Sequence, residues 1–210
     1  ITPDSDWYTS CVNIFGQTVR DAGFGGDLAM EPLKYKLDIN DMAPQAYSMI
    51  PQLVSAGVTT VVCACDPLTM LFLTTKAKEQ NYRPEWVSTG VAFNDQDAAA
   101  QIFDQDIFNG AFGVSFAGES ISLKGGPGYN AFKSVRPDQS ASATVEALFF
   151  QIQLLAIGIQ MAGPGLKPET FEAGMFTYPP RPGPAGTWDF GPGDYTTAGD
   201  AREVFYSSTT

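Results

Sequence analysis

The thirty-five residues from Ala56 to Gly90, AGVTTVVCACDPLTMLFLTTKAKEQNYRPEWVSTG, constrain the fold more than any other part of the chain. A short apolar run, Val58 to Cys65, stops at Asp66-Pro67. A helical pattern follows over Leu68 to Gln80, and a second strand, Glu85 to Ser88, stops at Thr89-Gly90. Two sequential strands joined by a helix lie parallel in a sheet covered on its faces. Such sheets hold their ligands beyond the carboxyl ends of the strands. Asp66, Pro67, Thr89 and Gly90 therefore stand where a small molecule would be held.

The same alternation extends on both sides. Asp4-Ser5-Asp6 supplies helix-capping chemistry, and Trp7 to Ala22 reads as a helix with Val12, Phe15 and Val19 on one face. Strand Leu33 to Leu37 and helix Met42 to Ala56 follow, with Pro51 expected to kink that helix. After Ser88 come helix Asp95 to Phe108 and strand Ala111 to Phe116. The pattern is α/β, a doubly wound, mostly parallel sheet.

Beyond Phe116 the character changes. Gly118 to Gln139 is rich in Gly and Pro and reads as an irregular crossover. A long helix is expected from Ser142 to Ala162 and a short one from Pro168 to Ala173, and then an extended tail turns at Gly191-Pro192-Gly193. The tail after Pro179 is expected to find few partners within the chain. The start, Ile1-Thr2-Pro3, has no initiator Met, basic region or apolar signal segment, and reads as the end of a strand running into a helix. The chain is thus expected to begin within a domain.

Composition removes several function classes. A net charge of −11 argues against nucleic acid, whose phosphates require clustered Lys and Arg. The absence of histidine removes His-based triads and His metal ligands. Three cysteines are too few for a disulfide scaffold or a four-thiolate zinc site. Cys63 and Cys65 share a strand face, where a bridge between them would be strained. Cys11 either reaches one of them or all three are small buried hydrophobes.

Three motifs have two readings each. Trp7 and Tyr8 either staple a helix to the sheet or close an aromatic ring over a ligand. Asp66 caps the helix that begins at Pro67, or accepts from a ligand ammonium, or does both. EALFFQIQLLAIGIQMAG is apolar, yet Gln151, Gln153 and Gln160 interrupt it, and a buried or interfacial helix fits better than a membrane span. KGGPG, Lys124 to Gly128, lacks the ending of a phosphate loop and reads as a connection.

The order and spacing of PDSDWY, AGVTTVVCACDP, KAKEQNYRPEWVSTG, LLAIGIQMAGPGLKPETFEAG and GTWDFGPGDY resemble the extracytoplasmic solute-binding proteins of ABC importers for branched-chain amino acids, the type I periplasmic binding proteins. The resemblance implies a two-lobed receptor that hinges shut on a small polar solute, serves a membrane permease and catalyses nothing. It needs no cofactor. It also implies a place in the periplasm or at the cell surface, with any lipid anchor outside this chain. Residues 1–118 would be most of the second lobe, 119–141 the crossover, and 142–210 a segment returning to a first lobe whose N-terminal sheet is absent. Carried over, Tyr8 matches a ligand-facing aromatic, and Asp66 or Cys65 matches the contact after the next strand. Thr89 and Gly90 stand where the family places an acid for the ligand's ammonium, and this chain has no acid there. Two other classes stay open: a ligand-sensing domain of the same fold in a regulator, and an α/β enzyme holding Mg²⁺ on Asp4, Asp6 and Asp66.

Overall fold

The structure, a computed structural model, describes residues 1–116, 124–142, 144–183, 186–196, 199 and 201–209. The described chain forms two compact units, Ile1–Ser115 with Arg202–Thr210, and Phe116–Ala201.

The first unit is built on parallel strands. β1 (Thr2–Pro3) pairs with β2 (Lys34–Tyr35). β3 (Thr60–Cys63) pairs with β4 (Glu85–Ser88), and β4 with β5 (Phe112–Ser115), all in parallel. The Ile1 nitrogen donates to the Val62 carbonyl at 2.8 Å and the Ala64 amide donates to the Ile1 carbonyl at 3.0 Å, which sets β1 beside β3. The strand–helix–strand reading of Ala56 to Gly90 holds, with α3 spanning Pro67–Glu79 between β3 and β4.

One face of this sheet carries the core. α2 (Met42–Ser55) and α3 bury Met49, Ile50, Leu53, Met70 and Leu73 with Tyr35, Val61 and Trp86. At about 1.5–3 kcal/mol per large apolar side chain, this cluster is the main stabilising term of the unit. α2 runs through Pro51. The opposite face is thinly covered. α1 (Asp6–Asp21) buries none of its residues, and Ile14 and Phe15 are exposed, so the expected Val12/Phe15/Val19 face does not seal onto the sheet.

Four expectations are corrected here. The single helix over 95–108 is broken into α4 (Asp97–Ala100) and α5 (Gln105–Phe108), because the Asp104 carboxylate accepts the Asp106 and Ile107 amides and starts a new helix. The Gly/Pro-rich connection contains α6 (Pro127–Val135), which begins with proline at its first turn. The tail does find a partner within the chain. β8 (Arg202–Phe205) pairs antiparallel with β5, and the Tyr206 hydroxyl donates to Gln105 Oε1 at 2.6 Å. Cys63 and Cys65 are joined to each other and fully buried, while Cys11 is free and exposed. The strand ends at Cys63, so Cys65 lies in the turn toward α3 and the pleat that would hold the two sulfurs apart is gone, with a Cα separation of 5.2 Å.

The second unit packs α6 and α8 (Pro168–Phe176) on α7 (Val145–Ala162). Close approach is set by glycine: a Cβ on Gly158 of α7 would enter the Phe171 ring of α8, and one on Gly174 would meet Met161. Glu146, buried on α7, accepts the Tyr129 amide at 2.7 Å and the Gly128 amide at 3.1 Å. The start of α6, where KGGPG resembles an anion loop, is thus already filled by a carboxylate of the protein. A hairpin of β6 (Arg181–Gly183) and β7 (Gly186–Trp188) follows, and Gly191 and Asp194 bridge the expected turn.

Candidate functional site

The carboxyl ends of β1, β3, β4 and β5 all point to one edge of the first unit. After β1 come Asp4 to Tyr8, after β3 Ala64 to Pro67, and after β4 Thr89 to Asp95. Topology therefore gathers the segments that carry every sequence-predicted site residue, Trp7, Tyr8, Cys65, Asp66, Pro67, Thr89 and Gly90, on one edge. Their chemical freedom differs widely.

Asp66 is fully engaged. Its Oδ1 accepts the Leu68 and Thr69 amides at 2.9 and 3.0 Å, capping α3. Its Oδ2 accepts the Tyr35 hydroxyl at 2.7 Å and the Thr69 hydroxyl at 2.8 Å. A carboxylate offers about four acceptor sites, and all four are occupied by the protein. Burial first, and then the bond to Asp66, holds the Tyr35 hydroxyl well above the usual tyrosine range. Of the two readings of Asp66, capping is the one with visible partners. The proline at the first position of α3 completes this helix start.

Cys65 is buried and tied into the disulfide, so it offers backbone only, and its carbonyl already accepts the Asn94 side-chain amide. Thr89 donates its hydroxyl to the Cys63 carbonyl at 3.1 Å. Gly90 is buried with φ +69°, a conformation that glycine adopts at no steric cost. Tyr8 is half-buried and meets Trp7 edge to face at 4.7 Å, while Trp7 itself is 67% exposed. The helix of Trp7 does not use that ring as a staple.

Sequence reasoning missed the segment after Gly90. Val91–Phe93 forms a short 3₁₀ turn in which both Ala92 (φ +51°) and Phe93 (φ +66°) are left-handed. Phe93 is 73% exposed. Asn94 and Asp95 pin the turn, the first to the Cys65 carbonyl and the second to the Ser115 hydroxyl. Behind it lies a cavity of about 30 Å³, room for one water, lined by Ser88 and Asn94, whose Oγ and Oδ1 are buried and have no partner among the described residues.

A larger cavity, of about 1330 Å³, lies elsewhere among the described residues. It runs along the face of β3 beneath α1, lined by Val12, Phe15, Met30, Leu33 and Val62, and reaches the edge at Ala64, Thr89 and Val91. Its walls are those of a helix that has not closed on its sheet, and its only predicted site residue is Thr89. The carboxyl edge, with its exposed rings and helix starts, is the stronger candidate. Among the described residues, no three His, Cys, Asp or Glu side chains cluster to hold a metal ion.

Comparison with solved structures places this architecture. The chain is similar to a substrate-binding periplasmic protein from Ralstonia solanacearum, with 13% identity, a TM-score of 0.69, and coverage of 98% of this chain and 57% of that one. It is similar to a leucine-binding protein from Thermotoga maritima, at 13% identity and a TM-score of 0.62, over 99% of this chain and 56% of that one. It is also similar to an ABC transporter substrate-binding protein from Desulfitobacterium hafniense in complex with Leu, at 14% identity and a TM-score of 0.59, over 99% and 56%. The shared property is the type I periplasmic-binding-protein fold, and this chain spans a little over half the length of these structures. No protein-family model matches the chain, and no curated protein matches it.

Proposed function

We propose that the chain is part of the substrate-binding component of an ABC transporter, capturing a small solute (an amino acid, amide or small carboxylate) at the carboxyl edge of its first unit. The observation that carries the reading is the joint one of fold and edge. The architecture follows substrate-binding proteins over nearly the whole chain, and it gathers Tyr8, Thr89, Gly90 and two exposed aromatic rings where such sheets hold ligands. In this reading the other lobe, the first in chain order, hinges shut over the solute, the loaded receptor docks on a membrane permease, and the protein works outside the cytoplasm, with or without a lipid anchor.

The missing lobe has support in the second unit. α7 exposes Leu148, Ile152, Leu155 and Ile159, spaced 4-3-4 along one stripe, and only 11% of the helix is buried. By length and composition α7 is apolar enough to cross a membrane. Its Gln151, Gln153 and Gln160 and its bonded Glu146 favour a protein cover instead. The chain covers 56–57% of the structures above, which leaves length in such proteins for a sheet to lie on that stripe.

A solute receptor and a Mg²⁺-dependent enzyme separate in one experiment. Thermal unfolding of the full-length protein is followed against amino acids, amides and small carboxylates. A ligand at a hundred times its dissociation constant stabilises by about 2.7 kcal/mol. No shift across the panel overturns the proposal, and a shift with Mg²⁺ alone favours the enzyme.

A further inference from the structure

We infer that the Cys63–Cys65 disulfide couples the oxidation state of this protein to its affinity for solute, by fixing where the turn after β4 is attached. The inference rests on the solute-binding reading above and adds a form of control to it.

The bridge lies at the centre of the carboxyl edge, since β3 runs between β1 and β4. Cys63 is the last residue of β3, Cys65 follows in the turn toward α3, and both are fully buried. Each cysteine carbonyl accepts a side-chain bond from the segment after β4. Cys63 takes the Thr89 hydroxyl at 3.1 Å, and Cys65 takes the Asn94 side-chain amide. The turn between Thr89 and Asn94 keeps its own shape. Within it the Phe93 amide donates to the Gly90 carbonyl at 3.3 Å and the Asn94 amide to the Val91 carbonyl at 3.2 Å. Its attachment to the end of β3 is a separate matter, and both of those side-chain moorings are made to the two bridged residues.

The neighbours of the bridge are pinned. The Ala64 amide, between the two cysteines, donates to the Ile1 carbonyl at 3.0 Å, and the Asp66 amide donates to the Tyr35 hydroxyl at 3.1 Å. Reduction by a dithiol breaks the Sγ–Sγ bond and adds two electrons and two protons. A thiol is left on each cysteine, and the dithiol closes to its own disulfide. Two thiols keep van der Waals separation, so the sulfurs part by roughly 1.5 Å. Both lie in the apolar core of the unit, and a close-packed interior passes that movement to the backbone that carries the two carbonyls. The moorings of Thr89 and Asn94 then loosen. A bridge across one intervening residue closes a small loop and adds little to global stability through chain entropy, which leaves local positioning as its main effect.

The test is calorimetric titration of the full-length protein with leucine, propionamide and propionate. It is run on the oxidised protein, on the protein reduced with dithiothreitol, and on the Cys63→Ala/Cys65→Ala variant. Alkylation and peptide mass spectrometry report the state of both cysteines. The oxidised protein should bind at least one probe about tenfold more tightly than the reduced protein or the variant does, and the variant should not respond to the dithiol. By reciprocity, saturation with that probe should lower the midpoint potential of the pair by about 30 mV, the same tenfold ratio converted. Hydrogen exchange over residues 87–97 should accelerate at least tenfold on reduction, with α7 unchanged. Equal affinity in both oxidation states, unchanged exchange over 87–97, or free thiols at Cys63 and Cys65 in the untreated protein would overturn this inference and leave the receptor reading standing. Loss of the folded state on reduction would make the bridge structural and overturn it as well. Should the variant fail to fold, the oxidised and reduced forms of the unaltered protein decide. No binding by any of the three probes overturns the inference. The receptor reading itself falls only if the wider panel of amino acids, amides and carboxylates also fails.

Discussion

Replacing Asp66 with alanine removes four hydrogen bonds at one point, and their sum can be worked out. Loss of the two amide contacts at the start of α3 is the loss of an N-cap, about 1 kcal/mol. The Tyr35 hydroxyl, on a side chain 1% exposed, then loses a charge-assisted acceptor, worth about 1.5–3 kcal/mol. Thr69, equally buried, loses its hydroxyl acceptor, although its effect overlaps with the cap. The total is about 3 kcal/mol, or an unfolding midpoint lower by roughly 6–12 °C in a protein of this size. Asp66→Asn keeps an oxygen for the two amides and should lose about half as much. Urea unfolding of the full-length protein, followed by tryptophan fluorescence, measures both variants. A loss below about 1 kcal/mol for Asp66→Ala would refute the reasoning, because it would mean that the carboxylate is not committed to holding α3 and Tyr35.

Other outcomes follow from the same contacts. The folded state holds the Tyr35 proton above the ordinary tyrosine value of 10.0. The stability linked to it is therefore complete below that pH and is lost as pH rises beyond it, and Tyr35→Phe should flatten this alkaline limb in a pH series of unfolding midpoints. Glu146→Ala strips the Gly128 and Tyr129 amides of their acceptor. Hydrogen exchange at those two amides should accelerate at least tenfold, with a stability loss of about 2 kcal/mol in unfolding measurements. Gly113→Ala drives a Cβ into the Ser88 backbone of the neighbouring strand, and it should cost about 1–3 kcal/mol in the same assay.

What the sequence made legible was local. The strand–helix–strand core from Ala56 to Gly90 could be read because strand ends, an Asp-Pro helix start and apolar runs are written in adjacent residues, and β4 spans the residues expected of it. The doubly wound class followed from repeating that pattern. Contacts made over long sequence separations were hidden. Tyr35 fills the second oxygen of Asp66 from 31 residues away. Tyr206 reaches Gln105 across 101 residues, so a tail with little apolar content gave no sign of joining the sheet.

Local competition hid other features. Asp104 starts a second helix inside a stretch whose apolar residues, Ala98 to Ala100, Ile102, Phe103, Ile107 and Phe108, suggest one continuous helix. Gly and Pro around α6 suggested a loop, because the buried Glu146 that caps it lies on a different helix. At the edge itself, the parallel-strand argument located the loops but not their conformations. Left-handed geometry at Ala92 and Phe93 is held by the turn's own backbone hydrogen bonds and by Asn94 and Asp95, whose partners are in β5 and in the turn after β3. No propensity of Phe announces it. The positions were therefore readable, while which side chains are spent and which are free had to come from the fold.

The most direct measurement is a calorimetric titration of the full-length protein with the solute that most raises its unfolding midpoint, followed by recovery of that solute. The account predicts saturable binding at one solute per protein and recovery of the solute unchanged. Absence of saturable binding, or return of the solute chemically altered, would contradict it.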